Sequence, residues 1–71
     1  METIVVLNDG ETYTSVGGCS ITQLRDEFFE NDTVENGLYE EADEPLAFIH
    51  KFHDGVLIEL TERGRQKVII R

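Results

Sequence analysis

The stretch from Leu46 to Leu60 limits the possible folds of this chain more than any other part of it. Leu46 to His53 and Val56 to Leu60 are rich in β-branched, aromatic and other apolar residues, and only Asp54-Gly55 separates them, a pattern that predicts an antiparallel hairpin. With Asp54-Gly55 as the turn, His53 faces Val56, Phe52 faces Leu57, Lys51 faces Ile58, His50 faces Glu59 and Ile49 faces Leu60. Alternation then puts Phe48, Phe52 and Leu57 on one side and Ile49, Val56, Ile58 and Leu60 on the other, so both faces are apolar. A domain of this size hides only about 60% of the surface its unfolded chain exposes. One short helix covers one face of such a sheet. The other needs a curled, barrel-like closure or a partner, and self-association, with a dimer favoured, supplies one.

Elsewhere, Thr3 to Leu7 reads as a strand, Asn8-Asp9-Gly10 as a turn and Glu11 to Ser15 as the return strand. Beyond a turn at Gly17-Gly18, Ser20-Ile21-Thr22-Gln23 fits a capping box, and Ile21, Leu24, Phe28 and Phe29 fall near one helical face. Cys19, Ile21 and Gln23 also alternate as a strand would, so the helix begins between Ile21 and Arg25, with Arg25 to Glu30 helical on either reading. Asn31 to Gly37 reads as a loop and Leu38 to Ala42 as a short second helical turn. A turn at Arg63-Gly64 returns Gln66 to Ile70 as the third strand of a meander. The expected fold is therefore α+β: a small antiparallel sheet of four to five strands from two hairpin regions, with one short helix packed on it, in a single domain spanning 1–71.

Charge narrows the partners. Fifteen acidic against six basic residues give a net charge of −9, which repels nucleic acid phosphates and anionic membranes and favours basic partners. Residues 1–45 carry −11 and residues 46–71 carry +2. Nine carboxylates, those of Asp26, Glu27, Glu30, Asp32, Glu35, Glu40, Glu41, Asp43 and Glu44, fall between Arg25 and Glu44 with Arg25 as the single cation, a local charge of −8. Carboxylates spread over a helix and its flanking loop imitate the phosphate spacing of a nucleic acid strand and suit a basic groove on a DNA- or RNA-binding protein. The plainer reading is a solvated acidic face that maintains solubility. Arg63, Arg65 and Lys67, on one side of the expected last strand with Ile69, are together with Arg71 too few for nucleic acid binding. They pair with the acidic stretch, within one molecule or between two subunits.

No catalytic, cofactor-binding or metal-binding residue is expected. His50 and His53 lie three apart on a strand and point to opposite faces, so they do not chelate one ion, and His50 reads as a cross-strand partner of Glu59. Cys19 has no identifiable base and orienting pair and reads as a small packing residue. Gly17-Gly18 lacks the lysine and spacing of a phosphate-binding loop, and the acidic stretch lacks the ordered ligands and glycine of an EF-hand. The apolar runs Ile4 to Leu7 and Val68 to Ile70 are too short to cross a bilayer, and Glu2 stands where a signal peptide carries basic residues. With one cysteine and no intramolecular disulfide, a cytoplasmic chain is expected, and the sequon at Asn31-Asp32-Thr33 has no role there.

The segment Ile4-Val5-Val6-Leu7-Asn8-Asp9-Gly10-Glu11-Thr12-Tyr13-Thr14, followed by Gly18-Cys19, resembles the start of small uncharacterised bacteriophage proteins. That resemblance covers roughly the first quarter of the chain and implies a virus-encoded accessory protein acting in the bacterial host cytoplasm; it brings no catalytic residues. The expected function is non-enzymatic: binding of a host protein with a basic surface, inhibiting a nucleic-acid-handling or defence factor through the carboxylates. The alternative is a structural or assembly accessory protein that self-associates through an apolar sheet face.

Overall fold

In the computed structural model, which describes residues 2–31 and 33–68, β1 (Glu2–Asp9) and β2 (Thr12–Val16) form the first hairpin. Gly10 takes a φ of 70° at the first of two turn positions, where a side chain would be strained. Gly17 and Gly18 then bend the chain into α1 (Ile21–Phe28), which begins at the earlier of the two expected onsets, after Ser20. The Ser20 hydroxyl makes no capping hydrogen bond, so the expected capping box locates the helix without being formed. Leu24 and Phe28 are the buried residues of α1.

Helix α1 is shorter than expected. Phe29 and Glu30 leave it as β3 (Phe29–Glu30), which pairs with β4 (Thr33–Val34) in a two-stranded ribbon. Asn31 turns that ribbon at a φ of 54°, a conformation asparagine tolerates better than most residues. The exit of Phe29 has a packing cause: its ring meets Tyr13 of β2 edge-on at 5.1 Å, while Phe28 meets Tyr39 in the same way at 5.1 Å. Successive aromatics thus tie the end of α1 to opposite margins of the main sheet.

The main sheet is completed by β5 (Gly37–Glu41), β6 (Glu44–Lys51) and β7 (Gly55–Leu60), in the order β2-β1-β7-β6-β5 with every neighbour antiparallel. Leu38 to Ala42 is therefore a strand and its turn, not the expected helical turn. Pairing of Leu38 with Phe48 and of Tyr39 with Ala47 outweighs the poor strand propensity of Glu40 and Glu41. The register shifts at Tyr39/Glu40, leaving Leu46 as an extra residue on β6, so that both Leu46 and Ala47 are fully buried.

The hairpin of β6 and β7 forms with a register two residues away from the expected one: Lys51 faces Val56, His50 faces Leu57, Ile49 faces Ile58, Phe48 faces Glu59 and Ala47 faces Leu60. The Phe52 N–H donates to the Gly55 carbonyl at 2.8 Å, so the chain reverses over His53 and Asp54. Gly55 serves a different purpose. It is buried beside β1, where a Cβ would lie 2.9 Å from the Val6 carbonyl oxygen. Because side chains alternate with a period of two, a slip of two residues leaves Phe48, Ile49, Val56, Leu57, Ile58 and Leu60 on the faces expected for them, while the bulge turns Leu46 inward.

The third meander strand does not form. β1 occupies the edge of β7 that it would have used, and the chain continues as a second helix, α2 (Glu62–Val68). Ile69 and Ile70 of the expected strand, and Arg71, lie outside the described residues. Thr61 starts α2: its hydroxyl accepts from the Gly64 N–H at 3.1 Å and donates to the Pro45 carbonyl at 2.7 Å. Gly64 rests against the bulge of β6, where an added Cβ would stand 1.9 Å from the Leu46 carbonyl oxygen. Val68 then joins Leu24, Phe28 and Val34 over the inward residues Ile4, Val6, Ile49, Val56, Ile58 and Leu60 in one cluster. Among the described residues, no helix is long and apolar enough to cross a membrane.

Candidate functional site

The nine carboxylates of the acidic stretch separate into groups once the chain is folded. Asp26 and Glu27 on α1, Glu30 on β3 and Glu35 after β4 surround one groove of about 290 Å³, lined also by Phe28, Phe29 and Tyr39. Thr33 shapes its margin, donating from its hydroxyl to the Glu30 carbonyl at 2.8 Å. Glu41, Asp43 and Glu44 gather at the β5–β6 turn. Glu40, alternating with Tyr39, projects on the opposite side of the sheet, with Leu38. Asp32 lies outside the described residues.

Helical spacing on α2 decides which acids are neutralised. Arg63 and Lys67 are four apart and share a helix face, which turns toward the β5–β6 hairpin. Arg63 stands 3.6 Å from Glu44, and Lys67 stands 2.7 Å from Glu41 and 3.9 Å from Glu27. Arg65 points the other way and pairs with Glu2. These cations were expected on one side of a strand; as a helix they divide between two sides, and the pairing occurs within one molecule. The hydrogen bond that Lys67 donates to the Glu41 carboxylate pushes the ammonium above its usual pKa, against a smaller opposing effect of desolvation. Among the described residues, no ion pair engages Asp26, Glu30 or Glu35. The groove thus presents carboxylates beside aromatic rings, an arrangement that accepts a guanidinium or ammonium group by charge-assisted hydrogen bonds and by attraction to a ring face.

The second surface is the side of the sheet away from the helices. Val16, Val5 and Leu57 form a row across β2, β1 and β7, extended by His50 of β6, and Leu38 and Phe48 form part of the next row. Among the described residues, the exposed large hydrophobics are Leu7, Val16, Leu38 and Phe52; the strand register puts Leu7, Val16 and Leu38, between 45% and 52% exposed, on this side, whereas Phe52 lies beyond β6 at the hairpin end. His50 Nε2 lies 3.0 Å from Glu59 Oε1, so the expected pair forms, although diagonally and not directly across the strands.

The remaining candidates stay apart. His53 sits in the β6–β7 turn and shares no site with His50. Cys19 is buried between β2 and α1, and burial is the main cause of its raised pKa, with the Glu2 carboxylate adding to it and Arg65 opposing it. A thiol so shifted is a poor nucleophile at neutral pH. Among the described residues, no three His, Cys, Asp or Glu side chains stand close enough to hold a metal ion. Sequence reasoning grouped the acids by proximity along the chain and missed Phe29 and Tyr39 as groove residues; the aromatic content of the stretch was the available signal. Compared with models of known protein families, with curated proteins and with solved structures, the chain matches none.

Proposed function

We propose that the chain is a non-enzymatic bacteriophage accessory protein of the host cytoplasm that binds a host protein with a basic surface and inhibits a nucleic-acid-handling or defence factor. The observation that carries this reading is the convergence of Asp26, Glu27, Glu30 and Glu35 on one groove lined by aromatic side chains. Asp26, Glu30 and Glu35 line the groove without an ion pair among the described residues, which leaves their charge available to a cationic partner. Such a partner inserts arginine or lysine side chains beside Phe29 and Tyr39. The N-terminal resemblance supports the phage setting, and the net charge of −9 supports fast, salt-sensitive association with a cationic partner.

The test compares two tagged proteins on host lysate: the wild type, and a variant carrying Asp26→Asn, Glu30→Gln and Glu35→Gln. The wild type retains a partner that elutes as salt is raised, and the variant retains at most about a tenth of it. Identical retention by both proteins across the salt series would end the carboxylate reading.

A further inference from the structure

We infer that the open side of the sheet is the interface of a homodimer, in which two copies pack face to face as a β-sandwich. This inference stands apart from the reading of the acidic groove, which lies on the helix side of the sheet.

Three observations select a second copy as the occupant. The first is the distribution of apolar surface. Both helices pack on the inward side, and Leu7, Val16 and Leu38, at 45–52% exposure, are left on the other. The second is charge. In a molecule of net charge −9, this face carries Asp9 and Glu40 at its margins and, in its central part, Glu59, which pairs with His50 at 3.0 Å. A basic partner finds little to attract it there. Two copies joined by this face leave the carboxylates of Asp26, Glu27, Glu30 and Glu35 on the outside, away from each other.

The third is size. Five strands at ordinary spacing make a face about 24 Å across and about 20 Å along the strands, roughly 500 Å² per copy. Two copies together bury about 1,000 Å², the lower limit for a specific interface. An interface at that limit between like-charged molecules makes a weak dimer that dissociates on dilution. Aliphatic side chains from two such faces interdigitate at a sheet separation of about 10 Å, and the row Val16, Val5 and Leu57 supplies them.

Sedimentation equilibrium of the full chain from about 5 to 500 µM tests the inference, a span that brackets micromolar dissociation. The expected result is a shift from 8.1 kDa toward twice that mass as concentration rises. Added salt should tighten the dimer, because it screens repulsion between two acidic molecules; salt weakens the groove complex proposed above, so the two readings fail separately. Leu7→Lys with Leu38→Lys, at positions where the wild-type side chains are already largely exposed, should hold the protein at 8.1 kDa with an unchanged far-ultraviolet circular dichroism spectrum. Amide chemical shifts of the wild type provide a second readout without mutation, and on dilution they should move at Val5, Leu7, Phe48 and Leu57. A wild type that stays at 8.1 kDa throughout, a dimer that survives both lysines, or dilution shifts confined to the helices or the outer strand edges would each overturn the assignment.

Discussion

Leu57 and Ile58 are neighbours on β7, similar in size and hydrophobicity, and they have different fates. Ile58 is completely buried under the helices, while Leu57 is only partly covered. The same division runs through the sheet: Ile4, Val6, Ile49 and Leu60 belong to the closed face, and Val5, Leu7, Val16 and Phe48 to the open one. Composition separates the faces only in part: in the central strands the open face carries Thr3, His50 and Glu59 among its apolar residues, where the closed face carries Ile4, Ile58 and Leu60. The difference lies in what the rest of the chain provides to cover them, and both helices, with Leu24, Phe28 and Val68, lie on one side. Burial makes one face the source of stability, and exposure makes the other available for association.

The largest effect should come from substituting equivalent residues on the two faces. Ile58→Ala removes fully buried volume and should cost about 2–5 kcal/mol in urea unfolding, enough to unfold much of a domain this small. Leu7→Ala, at a position 45% exposed, should stay within about 0.5 kcal/mol of the wild type when measured in dilute solution. Equal costs at the two positions would remove the distinction between the faces.

A smaller effect is expected at the β5–β6 turn, which both faces share. Ala42 and Asp43 take φ values of 53° and 65°, the left-handed region, without being glycine. Ala42→Gly should therefore raise stability by about 1 kcal/mol, seen as a higher urea midpoint with unchanged slope. A lower midpoint would show that this turn is not strained. Smallest of all is the change expected from Glu44→Gln. The Arg63–Glu44 pair spans 3.6 Å between side chains more than half exposed, and its loss should shift stability by no more than about 0.5 kcal/mol. A larger loss would mean that α2 is held to the bulge of β6 by charge as well as by packing.

Local signals in the sequence determined the class of fold, the two hairpins and the sides of the sheet on which Phe48, Ile49 and the residues of β7 lie; they left the start of α1 open between Ile21 and Arg25. Turn residues and alternation depend on neighbours in the chain, and a register error of two residues leaves the alternation intact. The same alternation showed that the Leu46 to Leu60 hairpin has two apolar faces, which is the origin of the dimer inference. What local signals did not decide was where elements compete for one neighbour. Whether the C-terminal residues became a strand or a helix depended on β1 taking the free edge of β7, a pairing between residues far apart in the chain. The helix start at Thr61 was not anticipated, and its decisive contact, Gly64 against the Leu46 carbonyl, exists only after β6 bulges. The acidic stretch followed the same rule. Its charge was visible in sequence, yet which carboxylates converge, which are neutralised by α2 and which face the other side of the sheet was decided by tertiary packing, because electrostatic interaction depends on distance in space and not on separation along the chain.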